Sequence, residues 1–392
     1  MIFRFLTSGE SHGKGLNVII DGMPSGVNFD ENFINKDLGL RQKGYGRGGR
    51  MKIETDTIEV LSGVRFSKTL GSPISLFIKN KDFENWQVVM SAKEVEQNQG
   101  NIEKIKEKTI YNVRPGHADF AGAIKYNQED VRNILERSSA RETAARVAAG
   151  GVAKLLLKEF DIESVSYVTQ IGNTKIESDL NPFENKEKIE TSEFHTFDSN
   201  SEEKFKEEID SAMKDGDTLG GCVEVRFKNL PIGLGSHTQW DKKLDGLIAQ
   251  AVMSVPAIKS VEIGLGKDCA QTRGSKTHDE IFIKDGKFIR KTNNSGGIEG
   301  GMTNGEELIV RAVMKAIPTM KTPLNSVSLK DKTEISAHFE RSDTCAVCAC
   351  AVVVEAMVSI VLADAMCEKF THDNIEDMKK CYHQYLERIE QR

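Results

Sequence analysis

The chain opens with two short apolar runs, Ile2-Phe3-Arg4-Phe5-Leu6 and Leu16-Asn17-Val18-Ile19-Ile20, which predict strands. A glycine-rich turn, Gly9-Glu10-Ser11-His12-Gly13-Lys14-Gly15, separates them. Residues 30–40 predict a short helix. Strand character returns at Ile58–Gly63 and Ile74–Ile78. Residues 93–108 are polar with few apolar positions, which predicts a peripheral excursion. Residues 137–160 predict the clearest helix, with Ser139 and Glu142 spaced as a capping box. Residues 174–206 are charge-rich and predict surface. Cys222–Phe227 alternates like a half-buried strand, and 242–254 reads as a helix. Strands follow at 261–264 and 307–313, then helices at 351–369 and 375–388. Strand blocks and single helices alternate without a strict βαβ rhythm, so the fold class is α+β. No linker divides the chain, and one large domain over 1–392 is expected.

Composition narrows the function classes. Of 392 residues, 39% are hydrophobic and 29% charged, an ordinary globular balance. The formal net charge of −6 disfavours nucleic acid as a partner, so a bound anion must meet a local basic cluster. The apolar stretch 346–363 carries Glu355 and many small residues, which predicts a core element and no membrane span. The opening segment is too short for a secretory signal, so a cytoplasmic location is expected. Seven cysteines without disulfide spacing suit a reducing compartment. Cys345-x-x-Cys348 has no second pair, so buried thiols are expected and no metal site.

Six segments carry candidate chemistry. Residues 41–52 hold Arg41, Lys43, Arg47, Arg50 and Lys52 without an acid. Four glycines there let the backbone bend, and arginine binds phosphate and carboxylate bidentately. Three readings stay open for this segment: an anion site, a solvated loop, or an RNA-binding stretch. Ser11-His12, between glycines, allows close approach of a ligand, and histidine titrates near neutrality. Arg114-Pro115-Gly116-His117-Ala118-Asp119 presents a second histidine on a rigid turn. Arg137-Ser138-Ser139 opens the predicted helix, where amides and hydroxyls suit phosphate. Residues 296–302 form a glycine-rich turn that is neither a Walker A sequence nor GxGxxG. Asp343, between Arg341 and the start of the next helix, is expected to be ionised.

Taken in order, these segments resemble the chorismate synthase family. The matching stretches are GESHG at 9–13, the arginine-rich segment at 41–50, RPGHAD at 114–119 and RSSARETAARVAAG at 137–150. SVPAIKSVEIG at 254–264, SGGIEGGM at 295–302 and RSDTC at 341–345 complete the set. The resemblance implies a β-α-β sandwich, a homotetramer, and an anti 1,4-elimination of phosphate from 5-enolpyruvylshikimate 3-phosphate to give chorismate. It implies reduced flavin mononucleotide (FMN) as cofactor, lending electron density transiently without net redox change. It also implies roles. His12, beside Ser11, protonates the departing phosphate. His117 protonates or polarises the reduced flavin. Asp343 works with the flavin in removing the ring proton. Arg137, Ser138, Ser139, Pro256, Ala257, Gly300, Lys315, Ala316, Ile317, Pro318, Thr319 and Arg341 match flavin-binding stretches. Arg41 and Arg47 match positions associated with NADPH and equally suit substrate, as do Arg50 and Arg114. The short chain without large insertions points to an external flavin reductase, with NADPH as the reductant otherwise. The family usually has His and Pro where this chain has Ser342 and Thr344, and Pro256 stands where some members carry Asn. The competing readings are an FMN-dependent oxidoreductase with net hydride transfer, and an RNA-binding protein acting through residues 41–52.

Overall fold

A computed structural model of the chain describes residues 2–48, 55–340 and 343–392. Arg4–Ser8 (β1) and Gly15–Asp21 (β2) pair antiparallel across the Gly9 turn, with Leu6 opposite Ile19. Glu31–Gln42 (α1) follows, capped by the Asp30 carboxylate, which accepts from the amides of Asn32 and Phe33. Glu59–Ser62 (β3), the ribbon of Val64–Arg65 (β4) and Lys68–Thr69 (β5), and Ile74–Lys79 (β6) come next. The first sheet has the order β1-β2-β6-β3, all antiparallel.

Four helices then run through Gln99–Lys108 (α2), Asp119–Tyr126 (α3), Arg132–Ser138 (α4) and Thr143–Lys158 (α5). Glu163–Ile171 (β7), Thr174–Lys175 (β8), Lys186–Thr191 (α6), Ser199–Asp215 (α7), Gly221–Lys228 (β9), Leu244–Met253 (α8) and Ile258–Ile263 (β10) follow. After Gly274–Thr277 (α9) come three ribbons: Ile281–Lys284 with Lys287–Arg290 (β11, β12), Ile298–Glu299 with Met302–Thr303 (β13, β14), and Asn325–Val327 with Glu334–Ser336 (β16, β17). Between the last two lies Leu308–Met314 (β15), and Val347–Lys369 (α10) and Ile375–Glu390 (α11) end the chain. The second sheet has the order β10-β15-β9-β7-β8.

α5 packs on the first sheet and on α10, and α10 packs on β7, β9 and β15 of the second. Both helices are buried along most of their length, and their sequences are correspondingly rich in apolar and small residues. α10 is long and apolar enough to cross a membrane, yet that apolar window lies wholly inside the fold. The small residues of α5 permit the approach: a Cβ on Gly150 would fall 2.3 Å from the Cβ of Ala356. Lys154 of α5 crosses this layer, bonding Asp37 of α1 and Glu355 of α10 at 2.8 Å each.

Two expectations change, and the exposed polar stretch 93–108 gains a helix. The predicted helix over 137–160 is two elements: α4 ends at Ser138, Ser139 is extended (φ −63°, ψ 144°), and a short 3₁₀ turn leads into α5. The side chains compete with the helical ladder here, for Ser138 Oγ donates to the Ile134 carbonyl and Ser139 Oγ accepts from the Arg141 amide. The reciprocal half of the capping box is absent, because the Glu142 carboxylate turns to Arg146 at 2.7 Å. The polar stretch 93–108 contains α2, with Asn98 as its cap. The charge-rich stretch 174–206 buries Ile189, Phe194, Phe197 and Phe205, so its charges face outward from an anchored segment.

Candidate active site

The Gly9 turn needs its glycine: φ is +107°, and a Cβ would meet the Gly15 carbonyl oxygen at 2.3 Å. Asn80, just after β6, donates to the carbonyls of Glu10, Ser11 and Gly13 and so fixes the turn. Glu136 of α4 takes both handles of His12. Its Oε2 accepts from the His12 amide, and its Oε1 lies 2.8 Å from His12 Nδ1. Burial raises the Glu136 carboxyl, but the His12 hydrogen bonds and the charge of Arg132 outweigh it and hold the group below its usual range. Nδ1 therefore faces an ionised carboxylate, an arrangement that favours a proton on that nitrogen. Trp86 stacks on the imidazole with centroids 4.0 Å apart.

The second histidine is held by a neighbour from its own turn. Asp119, the first residue of α3, is fully buried and lies 2.5 Å from His117 Nδ1. It also accepts from Arg114 Nε and Nη2, at 2.7 and 3.0 Å. Burial alone would raise Asp119; the His117 and Arg114 hydrogen bonds reverse that and push it far below the carboxylate range. Arg114 Nη1 reaches Thr319 Oγ1 at 3.2 Å, joining this turn to the segment after β15.

Two residues of the basic cluster, Arg41 and Arg47, turn inward, while Lys43 is exposed. Arg41 sits in the last turn of α1 and shares the Asp56 carboxylate with Arg141, at 2.7 and 2.6 Å. Arg141 also donates to Asn80 Oδ1. Burial and the nearby Arg141 depress the Arg41 guanidinium to about 10, against the pull of Asp56. One carboxylate between two guanidiniums leaves a net positive charge, and Arg41 Nε and Arg141 Nη2 are buried without a hydrogen-bond partner. Arg47 pairs with Asp343 at 3.0 Å, and Asp343 also accepts from the Gly48 amide at 2.6 Å. Arg41 and Arg47 are thus neither a solvated loop nor a surface for RNA.

These groups line one cleft of about 440 Å³. Ser11, His12, Arg41, Arg47, Arg114, His117, Ser138, Ser139, Pro256, Ala257, Lys315, Ile317, Pro318, Thr319 and Asp343 all contribute to its wall. Val255, Ala346, Ala349, Cys350 and Val353 add apolar lining. Ala257 adopts φ +70°, a strained conformation for a residue with a Cβ. Three expected residues stand apart. Arg137 turns away to Thr7 and the Gly9 carbonyl. Gly300 lies in the turn between β13 and β14, and Ala316 is exposed; neither lines the cleft. Arg50 and Arg341 lie outside the described residues. Arg141 and Glu340 line the cleft without having been singled out, and Asp56, Asn80, Trp86, Arg132 and Glu136 support it. Arg141 was visible within the RSSARE motif; the others carry no local signal.

Comparison with known proteins converges on one family. The sequence profile described as chorismate synthase matches residues 3–367. A chorismate synthase of Geotalea uraniireducens is 51% identical over 395 residues, covering 98% of this chain and 99% of that protein. One of Geobacter sulfurreducens is 51% identical with 99% of both covered, and one of Aquifex aeolicus is 52% identical with 98% of both covered. A crystal structure of chorismate synthase superposes with a TM-score of 0.79 at 43% identity, covering 100% of this chain and 99% of the other.

Proposed function

The chain belongs to the chorismate synthase family, and from that premise we propose that its cleft eliminates phosphate from 5-enolpyruvylshikimate 3-phosphate, anti and 1,4, to give chorismate with reduced FMN and no net redox change. This is a carbon–oxygen lyase reaction of the shikimate pathway, which feeds aromatic amino-acid biosynthesis. The observation that carries the reading is the Arg41–Asp56–Arg141 group, whose buried donors point to an anion. Substrate and flavin together bring two phosphates and two carboxylates. A site enclosing them needs preorganised cations, since unpaired buried charge is costly.

The residues fit the cofactor. Buried donors without protein partners, hydroxyls at Ser138 and Ser139, and an apolar wall along Ala257, Ala349 and Val353 suit a phosphorylated, flat heterocycle. Bound there, reduced FMN would supply transient electron density and a proton acceptor. Ser138, Ser139, Pro256, Ala257, Lys315, Ile317, Pro318 and Thr319 would hold it, with Arg137, Gly300, Ala316 and Arg341 matching the family's flavin stretches.

The chain's own groups divide the proton work. His12, with Ser11 beside it, gives a proton from Nε2 to the departing phosphate, while Glu136 stabilises the imidazolium that precedes transfer. The arginines neutralise the charge that develops on the leaving group. Asp343, paired with Arg47, takes part in removing the ring proton. His117, oriented by Asp119, supplies a hydrogen bond or proton to the electron-rich partner. We further read the layers as a β-α-β sandwich forming one domain, the assembly as a homotetramer, and the location as cytoplasmic. The flavin would be reduced by an external reductase, or else by NADPH.

An anaerobic assay with the phosphorylated ester and chemically reduced FMN tests the activity. One chorismate and one phosphate should form per ester consumed, without stoichiometric use of NADPH. Stoichiometric NADPH oxidation, or no chorismate, rejects the reading.

A further inference from the structure

Trp86 belongs to none of the hydrophobic clusters that hold the fold together. It lies just after a 3₁₀ turn, Lys81–Asn85, and is only half buried. Yet it is fixed on several sides. Its amide donates to the Phe83 carbonyl at 2.8 Å, and its indole Nε1 donates to Asp82 Oδ2 at 3.1 Å. One contact is the His12 ring, 4.0 Å between centroids with planes 26° apart. Another is the Arg132 guanidinium, 4.9 Å from the indole centroid.

Arg132 closes a loop of contacts. Its Nη1 donates to Glu136 Oε1 at 2.9 Å, the same oxygen that lies 2.8 Å from His12 Nδ1. Its Nε and Nη2 are held by the Lys108 carbonyl and the Glu340 carboxylate, at 2.6 and 3.2 Å. Glu136 therefore touches His12 and Arg132 at their edges, and Trp86 touches both. Turning the imidazole over would break the Nδ1–Glu136 bond, and tilting it would break the stack.

We propose that Trp86 is a positioning residue for the elimination: with Glu136 and Arg132 it clamps the His12 imidazole in one orientation and one tautomer, with Nε2 as the proton-transferring atom. The proposal rests on the reading of His12 as the acid that meets the leaving phosphate. A proton donor displaced by an ångström or a few tens of degrees loses roughly 10- to 100-fold in rate without losing substrate binding. A residue that merely filled space would show no such split.

The test uses the full chain with Trp86→Leu and Trp86→Phe. Nitrogen-15 histidine spectra of the flavin-free, substrate-free protein report the tautomer, with His12→Gln assigning the signal. Recorded at a pH where the ring is neutral, the wild type and Trp86→Phe should show a single Nδ1–H tautomer and Trp86→Leu a mixture; the acid form adds its second proton at Nε2. Under turnover, Trp86→Leu should lose roughly 10- to 100-fold in kcat with KM within about twofold, and Trp86→Phe should recover most of the rate. If urea unfolding shows that Trp86→Leu does not fold, Trp86→Met carries the same two expectations. An unchanged tautomer in the aliphatic variant, or Trp86→Phe as impaired as that variant, overturns the clamp. The parent reading fails separately: His12→Ala with near-wild-type turnover rejects the acid role whatever the spectra show.

Discussion

At the scale of single residues, the site depends on carboxylates that hold cations in place. Asp56 is the sharpest case, buried between Arg41 and Arg141. Burial raises its carboxyl, and the two guanidiniums more than reverse this, so it stays ionised. Asp56→Asn would leave two buried guanidiniums without a counter-charge. The expected loss is about 3–5 kcal/mol, read by urea unfolding; a loss under about 1 kcal/mol would show that water already solvates the pair. His12 and His117 were legible in the sequence because glycine and proline turns flank them. Asp56, Trp86 and Glu136 were not, because their partners lie far away in sequence and only the fold brings them together. Arg137 was marked by its motif too, and its guanidinium bonds the Thr7 and Gly9 carbonyls, a link that only the fold reveals.

At the scale of elements, alternation of apolar residues located β1, β2, β6, β9 and β15 close to their observed bounds. Where a helix is broken by its own side chains, the pattern misled. The apolar and alanine-rich spacing continues through 137–160, but Ser138 and Ser139 bond the backbone and end one helix before the next begins. That break sets Ser138, Ser139 and Arg141 along the cleft wall. The pairing of α5 with α10 rests on close backbone approach at Gly150. Gly150→Val should therefore push the helices apart and cost at least about 2 kcal/mol, through the same overpacking that penalises enlarged cores. The denaturation midpoint should fall with little change in slope; an unaltered midpoint would mean that the layer yields without strain. The helix at 99–108 was hidden because it buries no residue and so carries no apolar stripe.

At the scale of the whole molecule, titration ties the fold to pH. His195, buried among Ser166, Glu355 and Lys154, is driven down to about 4 by burial, against the charge of Glu355. The folded state thus keeps it neutral where the unfolded chain would protonate it. Its contribution is complete above about pH 6.5 and is lost as pH falls toward 4, amounting to about 3 kcal/mol. Asp119, Glu136 and Asp56, held below their usual range, add the same sign below about pH 4.5, and Glu340, at about 2, joins them. Asp37, raised by burial, opposes them in part. Urea midpoints between pH 7 and 4 should fall, and His195→Gln should flatten the upper part of that slope. An equal slope in the variant would remove His195 from the balance. The order of the strands and the stacking of two sheets about α5 and α10 were not legible, since no local pattern states which strand neighbours which. The sequence motifs nevertheless foretold most of one cavity wall, because turn glycines, prolines and arginines are local marks of ligand approach.

The cleft is not the sole cavity among the described residues; a second, of about 200 Å³, lies beside Lys154, Glu355 and His195. A crystal structure with the phosphorylated ester and FMN bound therefore distinguishes the site directly. Substrate oxygens should lie within hydrogen-bond reach of Arg41 Nε or Arg141 Nη2, with the flavin ring against Ala257 and Ala349. Ligands seated in the Lys154 cavity, or on the surface with both arginine donors still unmet, would contradict the account.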